Sequence, residues 1–300
     1  MARYIRPINR QKRDYNRSYS HRESRENCVY LVPTDTSKLI PETIDNFNLK
    51  LNKAIKLCND SFRLEINDHT INTKIIKSVA ERHRNTIENL GILVESKTFA
   101  PEWRMIIGLG DASVYETSMH LHHVYGFPYI PGSGIKGALR NYFILRYFAS
   151  ENGTVNLENA ESRAIKDRGF CDIFGSPEDG YYKKAVKGRI IFFDAYPQGN
   201  VIIKRDIMNP HYAPYYSDDE NKTPPGDYFN PVPIFFLVVE ETKFEFIFGI
   251  NPEDNQTIPE GKFKGKKPLD VVMENLEDAF ENFGIGAKTA VGYGHMVVSK

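Results

Sequence analysis

The densest cue to chemistry in this chain is Pro131-Gly132-Ser133-Gly134-Ile135-Lys136-Gly137-Ala138-Leu139-Arg140, where two cations four residues apart follow a run of glycines. Pro128 and Pro131 hold the entry extended, and Ile135, Leu139, Tyr142, Phe143 and Leu145 continue at helical spacing. Ser133 is expected to cap that helix by accepting a first-turn amide. The amides of Gly134, Ile135 and Lys136 would then face outward at the positive end of the helix dipole, with Lys136 and Arg140 on one face. Nothing bulkier than serine stands in the way of a phosphate, so the stretch reads as an anion site. A helix start whose glycines serve only tight packing is the plain alternative.

The same residues satisfy the dinucleotide pattern G-x-G-x-x-G, but that pattern follows a buried strand, and Phe127-Pro128-Tyr129-Ile130-Pro131 is too proline-rich for one. A Walker A loop fails because Lys136 precedes Gly137. Upstream, Met119 to Tyr125 reads as a strand with His120 and His122 on one side and His123 beside them. Histidines invite a metal or acid–base reading, yet no cysteine or carboxylate pattern completes a ligand set, so packing or base stacking is favoured. No metal and no cofactor is expected. A second side-chain-poor bend, Gly284-Ile285-Gly286-Ala287-Lys288-Thr289-Ala290-Val291-Gly292-Tyr293-Gly294, carries one further lysine.

These bends need elements to hold them. Helices are expected over Asn46–Leu57 and Ile71–Leu90, the second stopping at Gly91 with a basic polar face of Lys74, Lys77, Arg82, His83 and Arg84, read as solvated. Strands are expected over Trp103–Leu109, Gly188–Tyr196 and Val201–Ile207, with a turn at Cys171–Ser176. Pro233–Val239 and Lys243–Ile250 are expected to pair around Glu240-Glu241-Thr242. Alternation of Phe244, Phe246, Phe248 and Ile250 with polar neighbours predicts one buried face. Leu269–Phe283 is amphipathic, with Asp270 in its first turn and Gly284 as its stop, and His295–Val298 is a last strand. From residue 103 onward this is a split βαβ order: an α+β, ferredoxin-like fold, similar to an RNA-recognition motif, with both helices on one face of an antiparallel sheet. In it the bends carrying Lys136 and Lys288 are expected to meet.

The chain has 300 residues, 41% apolar, with formal net charge zero and pI near 7.1. That suffices for one large or two modest domains, and any polyanion-binding surface must be local. No run of eighteen apolar residues spans a membrane, and the polar, basic N-terminus is not read as a secretory signal. Three scattered cysteines, Cys28, Cys58 and Cys171, suggest a reducing cytoplasm. Residues 1–26 carry eight cations against three acids, with Tyr4, Tyr15 and Tyr19 interleaved. They read as a basic arm that orders on a polyanion or a neighbouring subunit, or as a solvated tail. Residues 27–99 read as a helical addition packed on the core, and 100–300 as the main domain with a long inserted hairpin or loop.

The helix start Pro131–Arg140 together with Gly284–Gly294 resembles the RAMP superfamily of CRISPR effector proteins. Gly108-Leu109-Gly110, Phe174-Gly175 and Asp206–Tyr212 narrow the resemblance to the sixth-subunit branch of the type III-B (Cmr) complexes. It covers roughly residues 100 to 300. The resemblance implies a non-catalytic, RNA-binding backbone subunit of an antiviral-defence ribonucleoprotein. Such a subunit caps the 3′-end side of the filament, with CRISPR RNA, target RNA and neighbouring Cmr backbone and small subunits as partners, and no membrane. Carried over, the RNA contacts are Gly132, Ser133, Gly134, Ile135, Lys136 and Arg140, with Gly284, Gly286, Ala287, Lys288, Thr289 and Tyr293. A thumb hairpin falls between Tyr196 and Pro231. Relatives that cut target RNA carry an aspartate that Asp111 and Glu116 do not match, and the second serine of the usual helix start is Gly134 here. An endoribonuclease using His120, His122, His123 or Asp111 is the alternative.

Overall fold

Phe244, Phe246 and Phe248 are wholly shielded from water, and the strand that carries them is where the main sheet is centred. A computed structural model describes residues 28–30, 46–52, 56–58, 61–62, 68–71, 73–113, 115–149, 157–210 and 233–299, with isolated positions between 215 and 231. In chain order the elements that matter here are β1 (Asp68–Ile71), α1 (Thr73–Glu88), β2 (Leu93–Pro101), β3 (Arg104–Met105), α2 (Gly132–Phe148) and α3 (Arg168–Phe174). They continue with β4 (Ile191–Phe192), β5 (Tyr196–Pro197), β6 (Val201–Met208), β7 (Ile234–Glu240), β8 (Phe244–Ile250), α4 (Pro268–Asn282) and β9 (Met296–Val298).

The larger sheet runs β5-β8-β2-β9, with β4 also on β8, and every pairing is antiparallel. Helix α2 follows its first strand and α4 links its third to its fourth. A first and a third strand in the centre, flanked by the second and the fourth, is the order of the split βαβ arrangement. Phe280 of α4 packs on Phe99 (5.1 Å between ring centroids) and Phe246 (4.7 Å), closing the core. A second sheet, β1-β6-β7-β3, lies alongside, and Cys28–Tyr30, Lys56–Cys58 and Ser61–Phe62 form a small third.

Several expectations change. The central strand begins at Leu93, within the stretch read as a helical addition, and only Arg104–Met105 of the expected 103–109 strand pairs. From that same stretch β1 pairs with β6, and the expected first helix is Phe47–Asn52, with Lys56–Cys58 already extended. The expected pairing of β7 with β8 does not occur. The chain changes sheets at Glu241 (φ 47°), so β7 pairs with β6 and β3 while β8 pairs with β2, β4 and β5. Strand β8 is buried on both faces because α1 covers the side that carries Glu245. That carboxylate is met by Arg84 of α1 and by Gln198 Nε2 (3.0 Å), so Arg84 is not simply solvated. Cys171–Ser176 is no turn: Asp167 accepts the Phe170 amide at 3.0 Å and starts α3. The single strand expected over 188–196 is broken between β4 and β5, where the chain turns toward α2. The basic arm 1–26 and much of the expected thumb beyond Pro210 lie outside the described residues.

Phe280→Ala should cost about 3–5 kcal/mol, because the ring fills the space between α4 and two sheet phenylalanines. Chemical denaturation followed by circular dichroism reads it, and an unchanged midpoint would count against this account of the core.

Candidate nucleic-acid interface

Helix α2 is seated by backbone contacts. Ile130 and Ala195 exchange hydrogen bonds (3.1 and 2.8 Å), which brings Asp194 against the helix start, and Asp194 Oδ1 accepts the Gly132 amide at 2.7 Å. Gly132 is required by close approach: a Cβ there would stand 2.1 Å from the Phe192 carbonyl oxygen. Pro131, with no side-chain hydrogen bond, occupies the cap position. Ser133 is therefore not the cap, because Asp194 from another segment accepts the first amide and the helix starts two residues earlier, at Gly132. A consequence is that Ile135 presents neither side chain nor free amide at the surface, unlike the contact expected there. Its side chain is fully buried and its amide donates to the Pro131 carbonyl at 3.0 Å. Lys136 likewise lies within the helical ladder. The amides left at the tip are those of Ser133 and Gly134, both exposed residues.

Around that tip the surface is bare. A Cβ on Gly134 or Gly137 would meet nothing within 4 Å. Lys136 is half-buried, and its ammonium is pushed below the usual lysine range by burial, then by Arg140 and Lys187. Among the described residues no carboxylate pairs with Lys136 or Lys187, whereas Arg140 is shared with Glu161 (2.8 Å) and lies over the Phe170 ring. A half-buried cation crowded by two others is destabilised until an anion arrives.

The second bend is clamped to β3 and its neighbours. The Ala287 amide donates to the Ile106 carbonyl (2.9 Å), the Gly294 amide to Arg104 (2.8 Å), the Glu102 amide to His295 (2.9 Å), and Ile285 donates to Gly294 (2.8 Å). Gly294, at φ 73°, admits no side chain, since a Cβ would lie 2.0 Å from the Ile285 carbonyl oxygen. Tyr293 is buried with Ile106, Phe236 and Val238, and its hydroxyl donates to Asp206 Oδ2 at 2.9 Å. Burial, then that bond, pushes its phenol up to about 12. Arg104 Nη1 donates to the same oxygen at 2.6 Å. Burial alone would raise the Asp206 carboxyl, but the Ile207 amide, Arg104 and Tyr293 together hold it below the usual range. Tyr293 and Gly284 are thus buried residues that hold the bend in place, where exposed contacts were expected. The exposed crest is Gly286, Lys288, Ala290, Val291 and Gly292, with Ala287 and Thr289 half-exposed and Lys288 in a left-handed conformation (φ 58°).

The two bends do not meet. One sits on residues 192–195 at one edge of the larger sheet, and the other leads into β9 at the opposite edge. No hydrogen bond, ion pair or ring contact joins them among the described residues. The link is indirect: Ile106 holds Ala287, the next carbonyl, Ile107, accepts the His120 amide (2.8 Å), and the His120 ring lies 4.7 Å from Tyr129, just before α2. Three strand spacings put the edges about 14 Å apart across the sheet, a gap that a polymer spans and a single phosphate does not.

The histidines are not on a strand. His122 Nδ1 accepts the Val124 and Tyr125 amides (3.2 and 3.3 Å) in a turn. Its ring sits among Tyr125, Phe127, Tyr129 and Tyr196, and burial lowers its pKa. His120 Nδ1 lies 3.2 Å from Asp111 Oδ2, its Nε2 is buried without a partner, and His123 is exposed. Among the described residues no three His, Cys, Asp or Glu side chains are gathered to hold a metal ion. Sequence reasoning missed Asp194, Lys187, Trp103, Arg104 and the role of Asp206. An acid inside the apolar run Ile190–Phe193-Asp194 was the one readable signal.

Residues 104–297 match the RAMP superfamily. Over 241 residues the chain is 38% identical to the CRISPR system Cmr subunit Cmr6 of Pyrococcus furiosus, covering 66% of this chain and 66% of that protein. It is 22% identical over 234 residues to the CRISPR system CMR subunit Cmr6 of Saccharolobus solfataricus, covering 75% of this chain and 65% of that one. The matches therefore span just under two thirds of the length of these curated relatives. A chain in the cryo-EM structure of the type III-B Cmr-beta bound to cognate target RNA has the same fold, with a TM-score of 0.52 at 19% identity over 77% of this chain and 67% of that chain.

Asp206→Asn should cost about 2 kcal/mol and raise hydrogen exchange at residues 284–295 before the rest of the sheet. Since the folded carboxyl lies below its unfolded value of about 3.9, this contribution is complete above that pH and is lost as pH falls through the folded value. Exchange that stays flat in both tests would remove Asp206 from the loop's support. Gly132→Ala should destabilise by about 1–3 kcal/mol, measured by thermal unfolding, and a melting point at or above the parent's would contradict the close approach.

Proposed function

The chain belongs to the RAMP superfamily, and from that premise we propose that it is an RNA-gripping, non-catalytic subunit of a type III-B CRISPR ribonucleoprotein, seated on the 3′-end side of the CRISPR RNA. The observation that carries this reading is the helix start of α2. Two tip amides, a bare glycine surface and the Lys136–Arg140–Lys187 group have no acid on Lys136 or Lys187. Phosphate is the ligand that answers amides and crowded cations together. The exposed crest around Lys288 offers a second grip at the far sheet edge, and a single strand crossing between them would be held by its backbone with little regard to sequence. The seat at the 3′ end rests on the resemblance of the two glycine segments to the sixth-subunit branch. Neighbouring Cmr backbone and small subunits and the target RNA are the proposed partners, in the cytoplasm.

An endoribonuclease is the second reading, favoured by the Asp111–His120 pair, in which a carboxylate orients an imidazole as acid–base chemistry needs. The free nitrogen, His120 Nε2, is buried, which gives a ribose hydroxyl no route to it in this conformation.

Lys136→Ala combined with Lys288→Ala should lower the CRISPR RNA recovered with the assembled complex. It should also flatten the dependence of log affinity on log salt by about 1–2. Unchanged RNA footprints in the double variant would overturn the grip. Incubation of the chain with labelled RNA, with and without magnesium, should yield no cleavage. A product that disappears in His120→Ala or Asp111→Ala would establish the second reading instead.

A further inference from the structure

Trp103 is the only tryptophan of the chain and is 48% exposed, although the backbone on both sides of it is hydrogen-bonded. On one side of it the Glu102 amide donates to the His295 carbonyl (2.9 Å), and on the other the Arg104 carbonyl accepts the Gly294 amide (2.8 Å). The residue is therefore carried on the stem of the glycine-rich bend. Its ring lies 5.1 Å from the Tyr293 ring, and the Arg104 guanidinium sits 4.9 Å over it. Both of those partners donate to one oxygen, Asp206 Oδ2, which ties them in place while about half of the indole stays in solvent. Glu240 also approaches Arg104, at 3.5 Å, which fixes the guanidinium further.

We propose that Trp103 is a stacking platform for a base of a bound single-stranded RNA, with Arg104 and Tyr293 as the residues that hold it. This deepens the reading of the Lys288 crest as a phosphate grip and rests on it. The physical case has three parts. Exposing a tryptophan costs apolar burial, and clamping it at both flanking residues keeps it from folding away. Every base has a flat face, so an indole takes any base without reading its edge, which suits a grip on phosphates. The guanidinium, itself held by Asp206 and Glu240, fixes the ring's orientation through a cation–π contact. Glu102, the exposed acid beside it, opposes a polyanion and places the strand on the Lys288 side of the ring. A protein partner packing on the indole is the competing occupant.

Because the chain has a single tryptophan, its fluorescence reports on this residue alone. The full chain is titrated with a twelve-nucleotide oligouridylate, reading tryptophan emission and, separately, the anisotropy of a dye on the RNA. Quenching that saturates with the anisotropy supports the platform. Trp103→Ala should then weaken binding about tenfold, Trp103→Phe by less than about threefold, and neither should change the salt slope that Lys288→Ala reduces. RNA bound by anisotropy with unmoved emission, and Trp103→Ala binding as tightly as the parent, would overturn the platform while leaving the RNA grip standing. No anisotropy change at any concentration would overturn both. Emission that ignores RNA but shifts on adding a neighbouring subunit assigns the indole to protein contact and overturns the proposal.

Discussion

One carboxylate oxygen, Asp206 Oδ2, receives a hydrogen bond from Arg104 and another from Tyr293, and the surface at this edge of the molecule depends on that meeting. Asp206 and Arg104 belong to the second sheet, on β6 and β3, and Tyr293 to the glycine-rich bend. A bend of glycines has high conformational entropy and little side-chain surface of its own to bury. Here its order is imposed by Tyr293, whose ring enters a small core with Ile106, Phe236 and Val238 while its hydroxyl is satisfied by a charge-assisted bond. The crest around Lys288 can then be mobile in detail and still fixed in place.

The opposite edge solves the same problem differently. Helix α2 needs an acceptor for its first amide, and its own sequence supplies none in the cap position. Asp194 supplies it from across the sheet edge, at the break between β4 and β5, where Ala195 bonds to Ile130. The break that weakens a strand is thus what seats the helix. Because the first amide is taken by Asp194 and the first apolar side chain, Ile135, is buried, only the Ser133 and Gly134 amides remain at the tip. The charge then has to come from Lys136, Arg140 and Lys187.

Much of the fold was legible in the chain because its signals are local. The apolar spacing of 269–283, the phenylalanine alternation of 244–250 and the proline–glycine entry to α2 each depend on one stretch. What was not legible depends on two stretches at once. Strand β2 reads as mixed, Leu93-Val-Glu-Ser-Lys-Thr-Phe99, because half of its residues face only partial cover from helices and neighbouring strands. The false pairing of β7 with β8 came from the short link Glu240-Glu241-Thr242, which resembles a hairpin turn. Thr242 is fully buried, with its hydroxyl between the Ile202 amide and the Glu240 carbonyl, so the link ties the two sheets together. At the site, the two glycine-rich bends and the exposed surfaces around Lys136 and Lys288 are where the residue types placed them. The roles of Ser133, Ile135 and Tyr293 were misjudged because a cap, a free amide and an exposed ring are properties of neighbours. Asp194 lies 62 residues from Gly132, and Asp206 and Phe236 lie 87 and 57 residues from Tyr293.

A chain of zero net charge holds a polyanion only where its cations are left without acids. Arg84, Lys97, Arg104, Arg168, Arg189, Lys204 and Lys266 are each committed to a carboxylate. Those pairs tie elements together, and being satisfied internally they project little field. Lys136, Lys187 and Lys288 stand outside that network among the described residues, on two surfaces stripped of side chains. In the proposed grip, their separation across the larger sheet sets what a ligand must span. A mononucleotide would satisfy one group and leave the other crowded or empty, whereas a strand laid across the rim reaches both. The sheet between them, stiffened by Phe99, Phe246 and Phe280, sets that spacing, so the hydrophobic core fixes how far apart the two bare, cationic surfaces stand.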